Sequence, residues 1–469
     1  SMADGLGQQI EDPRGVWPVI GYASDNSATD IFMSLASMSL GIVEAPIDHR
    51  LSDDEIASRW SRIADGNDSR IWVDGESRSR LRHQDSENQP VAFAVDPAPS
   101  TKGQSKDAPS LILWTSGTTG TPQGVTLSSQ NLSLNAGAKL RAVPQRSDDV
   151  RLCVLPVSHA YARTCDLGTW LLSGCTLAIT LGSEGLRRMA PQVRPTLMNV
   201  VPAMANRLLD ENVAGLDRLR LLGCGGAALA VADFDRWRQR GVTVIQGYGL
   251  TETSPATNVN LPNADPPNAD TPVIPENRLG SVGPFLPGIA VRLTNAATGE
   301  RVPLDQSGVI WLKGANIFPG YLNRPDLTDS VIEDGWFNTG DVGHLDDDGF
   351  LHIDGRISRF SKIGGEMVPH ELLEAAINKI LGLDNETERK IAVVGVPDEK
   401  KGEAIAFLSC VASQAIEQEV VDIRYKLMDQ GIPSLWCPRA IIPVEEIPIL
   451  ASGKLDIKTC EALARGEQP

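Results

Sequence analysis

The chain has 469 residues, with 60 acidic against 43 basic side chains and a formal net charge of −17. That length calls for two or three domains with ample core, and so acidic a surface disfavours nucleic acid and anionic lipid as partners. Hydrophobic residues make up 41% without a run long enough to span a bilayer, and seven cysteines in no CxxC pairing point to reduced thiols, so a soluble cytoplasmic protein with no transmembrane segment is expected.

In chain order, the apolar spacing of Ile31, Leu35, Met38 and Ile42 predicts a helix over 28–44, with Asp30 near its start. Residues 84–110 are rich in Asp, Ser, Pro and Gln and predict a surface excursion. The apolar run 111–114 then stops at Thr115, Ser116, Gly117, Thr118, Thr119 and Gly120, with Thr121-Pro122-Gln123-Gly124 following. That predicts a strand ending in a turn whose backbone N–H groups and hydroxyls approach an anion, and a polyphosphate suits it. The spacing is not that of a P-loop, because no lysine stands where one is needed. Up to about residue 250, short β-rich runs at 152–155, 176–179, 198–201, 219–222 and 242–245 alternate with helical stretches such as 203–211 and 231–240. Such alternation predicts a largely parallel sheet with helices on its faces.

A proline-rich tandem repeat predicts a loop over 260–278. Gly and Pro punctuate short alternating strands over 279–355, which predicts a small antiparallel β-subdomain with a hairpin turn at Asp346-Asp347-Asp348-Gly349. Beyond Arg356, a helix with Leu372, Leu373, Ala376, Ile377 and Ile380 on one face is followed by strands at 391–396 and 404–411, a helix at 416–428 and a strand at 440–444. That order predicts a separate α+β C-terminal domain.

Four further stretches join small residues to one typed polar group. They are Gly223-Cys224-Gly225-Gly226-Ala227-Ala228; Gln246-Gly247-Tyr248-Gly249-Leu250-Thr251-Glu252-Thr253; Trp336-Phe337-Asn338-Thr339-Gly340-Asp341; and Pro448-Ile449-Leu450-Ala451-Ser452-Gly453-Lys454. Singly, each reads as a tight turn, a core tyrosine, a solvated acid or a surface lysine. In this order, behind the Thr/Ser/Gly turn, they resemble the adenylate-forming superfamily of acyl-CoA synthetases, peptide-synthetase adenylation domains and luciferases. The run 155–164 with Leu171-Leu172-Ser173-Gly174 looks like long-chain acyl-CoA synthetases, and 355–368 looks like bacterial acyl–acyl carrier protein synthetases.

The resemblance implies an α/β fold: an N-terminal adenylation domain, 1–357, with parallel-rich sheets and a β-barrel-like subdomain over about 279–355, and a mobile C-terminal domain, 358–469. It implies attack of a carboxylate on the α-phosphate of ATP, giving an acyl-adenylate and pyrophosphate, and then thioester formation on CoA or the phosphopantetheine of an acyl carrier protein. Lys454 would bridge the acyl carboxylate and α-phosphate, Glu252 would hold Mg²⁺, and Thr251 with residues 115–120 would bind phosphates. Tyr248, between Gly247 and Gly249, would stack on adenine, and Gly225, Gly226 and Ala227 would line the ring. Asp341, helped by Arg356, would accept from the ribose hydroxyls. His159 would line the acyl pocket, Ser358 would be the hinge, and Lys362, Gly364 and Gly365 would border the thiol channel.

Three positions depart from the family pattern: Gln123 stands where Pro-Lys-Gly has its lysine, Ser358 replaces an Asp or Lys, and Ser129 replaces a histidine. Fewer residues precede Thr115 than in the family, so the first strand and helix are expected to be missing or replaced. The expected acid is a medium- or long-chain fatty acid. The alternatives are an aryl or succinylated acid, or a non-catalytic nucleotide- or acyl-binding relative; a phosphotransferase would release ADP.

Overall fold

The computed structural model describes residues 18–64, 70–75, 108–115, 122–227, 229–261, 277–296, 298–364, 366–383, 389–398, 400–412, 415–449 and 455–467. The turn residues 116–120, most of the 84–110 excursion, the repeat at 262–276, Gly365 and Lys454 lie outside them.

The first sheet begins with β1 (Val19–Ser24), α1 (Ala28–Leu40) and β2 (Val43–Asp48). The Asp30 carboxylate accepts the backbone N–H of Asn26 at 2.7 Å and the hydroxyl of Ser24 at 2.9 Å, fixing the chain's entry to α1. The helix predicted over 28–44 ends early: Gly41 takes a left-handed φ of 66°, and Val43 to Ile47 form a buried strand. A strand buried on both faces shows no alternation, so its apolar residues read as a continuation of the helix. After α2 (Asp53–Ala64) come β3 (Arg70–Val73), β4 (Pro109–Trp114) and β5 (Gly124–Ser128). With β14 (Gly320–Tyr321) they make a sheet of order β14-β5-β4-β2-β1-β3, parallel from β4 to β3.

The second sheet follows α3 (Ser129–Ala142). Its strands are β6 (Val150–Cys153), β7 (Thr176–Ile179), β8 (Leu197–Val200), β9 (Leu221–Cys224), β10 (Thr243–Gly249) and β11 (Ala256–Asn260), in the order β11-β10-β9-β8-β6-β7. All its pairs are parallel except β10 with β11. Between β6 and β7 a π-helical turn, Arg163–Gly168, carries a buried arginine to the first sheet. Arg163 donates to Ser34 Oγ and Glu44 Oε1, each at 2.6 Å, and locks the two sheets together.

The predicted β-subdomain is an antiparallel sheet of β12 (Ile289–Thr294), β13 (Gly308–Gly314), β15 (Ile332–Glu333), β16 (Trp336–Leu345) and β17 (Leu351–Arg356). The β16–β17 turn is the predicted Asp346–Gly349 hairpin, clamped by Arg278 on Asp346 and Asp348. A short turn, Ile357–Arg359, leads into a last sheet of β18 (Phe360–Ile363), β19 (Glu366–Pro369), β20 (Ile391–Asp398), β21 (Gly402–Ser409) and β22 (Ala440–Pro443), covered by α4 (His370–Leu381), α5 (Ile416–Asp429) and α6 (Ile457–Ala464). The architecture is therefore α/β, with parallel-rich sheets and a C-terminal α+β domain.

Candidate active site

A cavity of about 740 Å³ opens where the strands of the first two sheets end. Its wall takes Pro46–Asp48 from the end of β2, Trp114 and Thr115 at the end of β4, Val154 and Leu155 after β6, Val201 after β8, Gly223, Gly225 and Gly226 at the end of β9 and Gly247–Thr251 at the end of β10. The second sheet reverses strand order between β6 and β8, and a crevice at the carboxyl ends of strands beside such a reversal is where open α/β sheets take ligands.

Local sequence explains the open space. At the end of β9, a Cβ on Gly225 would lie 3.1 Å from the Tyr161 ring, and Gly226 has φ 88°. At the end of β10, a Cβ on Gly249 would lie 1.8 Å from Pro255 O, which no side chain tolerates. Between these glycines Tyr248 faces the cavity and donates its hydroxyl to Asp341 Oδ2 at 2.5 Å. Arg356, opposite Asp341 in the β16–β17 register, holds Oδ1 at 2.6 Å. Burial, and then the Asp341 charge, raise the Tyr248 pKa well above the ordinary phenol value, so Tyr248 stays a neutral donor. Glu252, next to Thr251, accepts from Tyr321 Oη at 2.9 Å, and burial raises its pKa. A single carboxylate at this position fits the residue Mg²⁺ would need, since that ion takes one or two protein carboxylates and fills the rest of its shell from other oxygens.

The neck of the Thr/Ser/Gly turn is closed on itself. Thr115 N donates to Gln123 O at 2.9 Å, and Gln123 N donates to Thr115 Oγ1 at 3.1 Å. Arg62 of α2 donates to Pro122 O at 2.5 Å and Gln123 Oε1 at 3.2 Å, with its guanidinium 5.2 Å from the centre of the Trp114 ring. This arginine stands beside the position where the family lysine is missing.

His159 is half exposed on the cavity wall, 3.6 Å from Asp48 Oδ2, so it is not a packed core histidine. Burial would raise the Asp48 pKa, but hydrogen bonds from His159 and Arg50 outweigh it and keep the carboxylate ionised. Next to the lining residue Cys165, Asp166 is fully buried, accepting from Arg151 at 2.6 Å and Asn199 at 2.6 Å. Lys139 of α3 lines the cavity near this pair.

The cavity thus brings together Thr115, His159, Gly225, Gly226, Gly247, Tyr248, Gly249 and Thr251, with Asp341, Arg356 and Glu252 joined to it through Tyr248 and its neighbours. Ala227 is exposed. Ser358, Lys362 and Gly364 lie away from it, on the turn after β17 and the β18–β19 hairpin. Sequence reasoning missed Arg62, Asp48, Tyr161 and Lys139. Of these Lys139 alone left a mark in the sequence, a charge on the buried stripe of α3 beside Asn135, Ala136 and Ala142.

Comparison with known proteins accords with this geometry. The model of the AMP-binding enzyme family matches residues 14–322, and that of the AMP-binding enzyme C-terminal domain matches residues 388–454. A 2-succinylbenzoate–CoA ligase of Listeria monocytogenes is 27% identical over 93% of this chain and 87% of its own. A feruloyl-CoA synthase of Amycolatopsis is 32% identical over 77% of this chain and 71% of its own. A long-chain-fatty-acid–CoA ligase of Bacillus subtilis is 29% identical over 74% of this chain and 60% of its own. Among solved structures, the AMP complex of O-succinylbenzoate coenzyme A synthetase from Bacillus subtilis shares the fold, with TM-score 0.75 and 21% identity over 97% of this chain and 91% of that one. The chain belongs to the AMP-binding enzyme family, as an AMP-forming acid–thiol ligase.

Proposed function

We propose that the protein condenses a carboxylic acid with ATP to give an acyl-adenylate and pyrophosphate, and then passes the acyl group to CoA. The observation that carries this reading is the convergence of the glycine-flanked ends of β4, β9 and β10 on one cavity with Tyr248 and Thr251 in its wall. Adenine stacks on Tyr248 beside Gly225, Gly226 and Ala227, and the ribose hydroxyls meet Asp341, oriented by Arg356. Thr251 and the 115–120 turn bind the phosphates, with Arg62 supplying positive charge at its neck. Glu252 would hold Mg²⁺, which neutralises phosphate charge when bound. Lys454 bridges the acid and the α-phosphate as negative charge develops between them.

The hinge reading of Ser358 is supported by the arginines flanking it. Arg356 is fixed to Asp341 in the β-subdomain, whereas Arg359 is fixed to Glu374 and Val393 O in the C-terminal domain. The chain between them is the short span able to absorb a rotation between half-reactions, one that withdraws Lys454 and brings Lys362, Gly364 and Gly365 toward the thiol.

The apolar wall formed by Val154, Leu155, Met204, Ile245 and Val259 suits the acyl body of a medium- or long-chain fatty acid. A buried charge in the same wall, Lys139, favours the second reading, an aryl or succinylated acid. ATP–pyrophosphate exchange across a panel of fatty, aryl and succinylated acids, repeated as thioester formation with CoA and with a carrier protein, tests both.

A further inference from the structure

Lys139 sits in the last turn of α3, is only 8% exposed, and lines the cavity together with Tyr161, Cys165, Ile245, Ala256 and Val259. Among the described residues, no hydrogen bond or ion pair reaches its ammonium group. The charges near enough to act on it are the Arg151–Asp166 pair, which neutralise one another across 2.6 Å, and the Cys165 thiol, whose pKa burial raises to about 11. One positive charge is thus left over where Lys139 meets Tyr161, Cys165, Ile245, Ala256 and Val259. A buried, unpaired ammonium destabilises a fold, and methionine would fill similar space without that penalty. The amine is accounted for if the ligand brings the anion.

The reacting carboxylate has to meet the nucleotide past the end of β10, by Thr251, whereas Lys139 lines the cavity with Ile245 inside β10 and Ala256 and Val259 inside β11. From this geometry we infer that Lys139 is a specificity-determining residue that binds a second carboxylate at the far end of the acid, making the substrate a dicarboxylic acid with an apolar middle. This rests on the ligase reading and narrows it: a plain alkyl tail would strand the ammonium, and a tail ending in carboxylate completes a buried, charge-assisted pair. Burial lowers the Lys139 pKa, so an incoming carboxylate also favours the protonated amine.

The test uses two matched pairs, octanedioate against octanoate and 2-succinylbenzoate against 3-benzoylpropionate, titrated calorimetrically into the full chain with a non-hydrolysable ATP analogue. In at least one pair the diacid should bind about 10–100-fold more tightly, the range of a hydrogen bond to a charged group. Lys139→Met should bring the ratio to about one or below, with the monoacid gaining affinity, while Lys139→Arg keeps the diacid ahead. A structural defect would weaken both members of a pair alike. Equal or better monoacid binding in both pairs, a preference that survives Lys139→Met, or no binding of any of the four acids overturns the inference. Exchange assays keep the two claims apart. Exchange with monoacids alone refutes the diacid and leaves the ligase standing; no exchange with any fatty, aryl or dicarboxylic acid refutes the ligase.

Discussion

Tyr248 Oη donates to Asp341 Oδ2 across 2.5 Å, tying the end of β10 in the second sheet to β16 in the β-subdomain. With Arg356 on the other oxygen, the carboxylate is oriented from both sides before any nucleotide arrives. Asp341→Asn removes the charge that Arg356 faces and weakens acceptance from a diol. ATP KM in the exchange assay should rise about 10–100-fold, as for loss of a charged hydrogen bond. Tyr248→Phe keeps the aromatic face and should cost only about threefold to tenfold. Equal effects of the two changes would contradict this division of roles.

Arg62 occupies the neck of the Thr/Ser/Gly turn, where Gln123 replaces the family lysine. Arg62→Ala removes both the cation and the clamp on Pro122 O, and kcat/KM for ATP should fall about tenfold or more. Adding Gln123→Lys to Arg62→Ala should recover much of that loss. Failure of the added lysine to rescue, with the fold intact by circular dichroism, would mean that Arg62 acts through packing on Trp114.

The buried Arg151–Asp166 pair makes a stability prediction. Asp166→Ala leaves Arg151 uncompensated beside Lys139 and should lower unfolding free energy by about 3–5 kcal/mol. The double change Arg151→Met with Asp166→Leu should recover most of it. Urea titration followed by tryptophan fluorescence reads both, and a single-mutant loss below about 1 kcal/mol would refute the assignment.

His370, at the start of α4, is buried with Nε2 2.8 Å from Ser361 Oγ. Burial, and then Arg359, lower its pKa to about 3, so it is neutral in the folded chain. The unfolded histidine titrates near 6.5, so between these values the unfolded chain binds more protons. The stability contribution is complete above about pH 6.5 and is lost as pH falls toward 3, by at most about 1.4 kcal/mol per pH unit. Thermal melts at successive pH values should show a C-terminal-domain transition that falls through this window, less steeply in His370→Gln. An identical slope in the variant would refute the role.

The glycine-bearing strand ends were legible in the sequence because their function needs absent side chains, and absence at fixed spacing is visible without a fold. The strands read at 176–179 and 391–396 and the helices read at 203–211 and 231–240 likewise declare themselves locally, and the structure has each within two residues of those bounds. The sequence reading missed β1 and β2, whose buried parallel strands carry no alternation, and the β18–β19 hairpin, which is too short to show one. Arg62 was invisible as a site residue, and Lys139 showed only as a charge on an apolar stripe, for a different reason. Each is one cation on a helix, and its meaning comes from what tertiary contact sets beside it: the neck of the turn for Arg62, the cavity wall for Lys139.

The central claim is AMP-forming activation of an acid in the cavity at the strand ends, with Lys454 bridging the reacting groups. Acid-dependent exchange of labelled pyrophosphate into ATP, with wild type and Lys454→Ala compared at equal nucleotide occupancy, tests it most directly. The expected result is exchange that requires an acid and releases AMP once CoA is added, abolished in Lys454→Ala while ATP still binds. Release of ADP, or full exchange in Lys454→Ala, would contradict it.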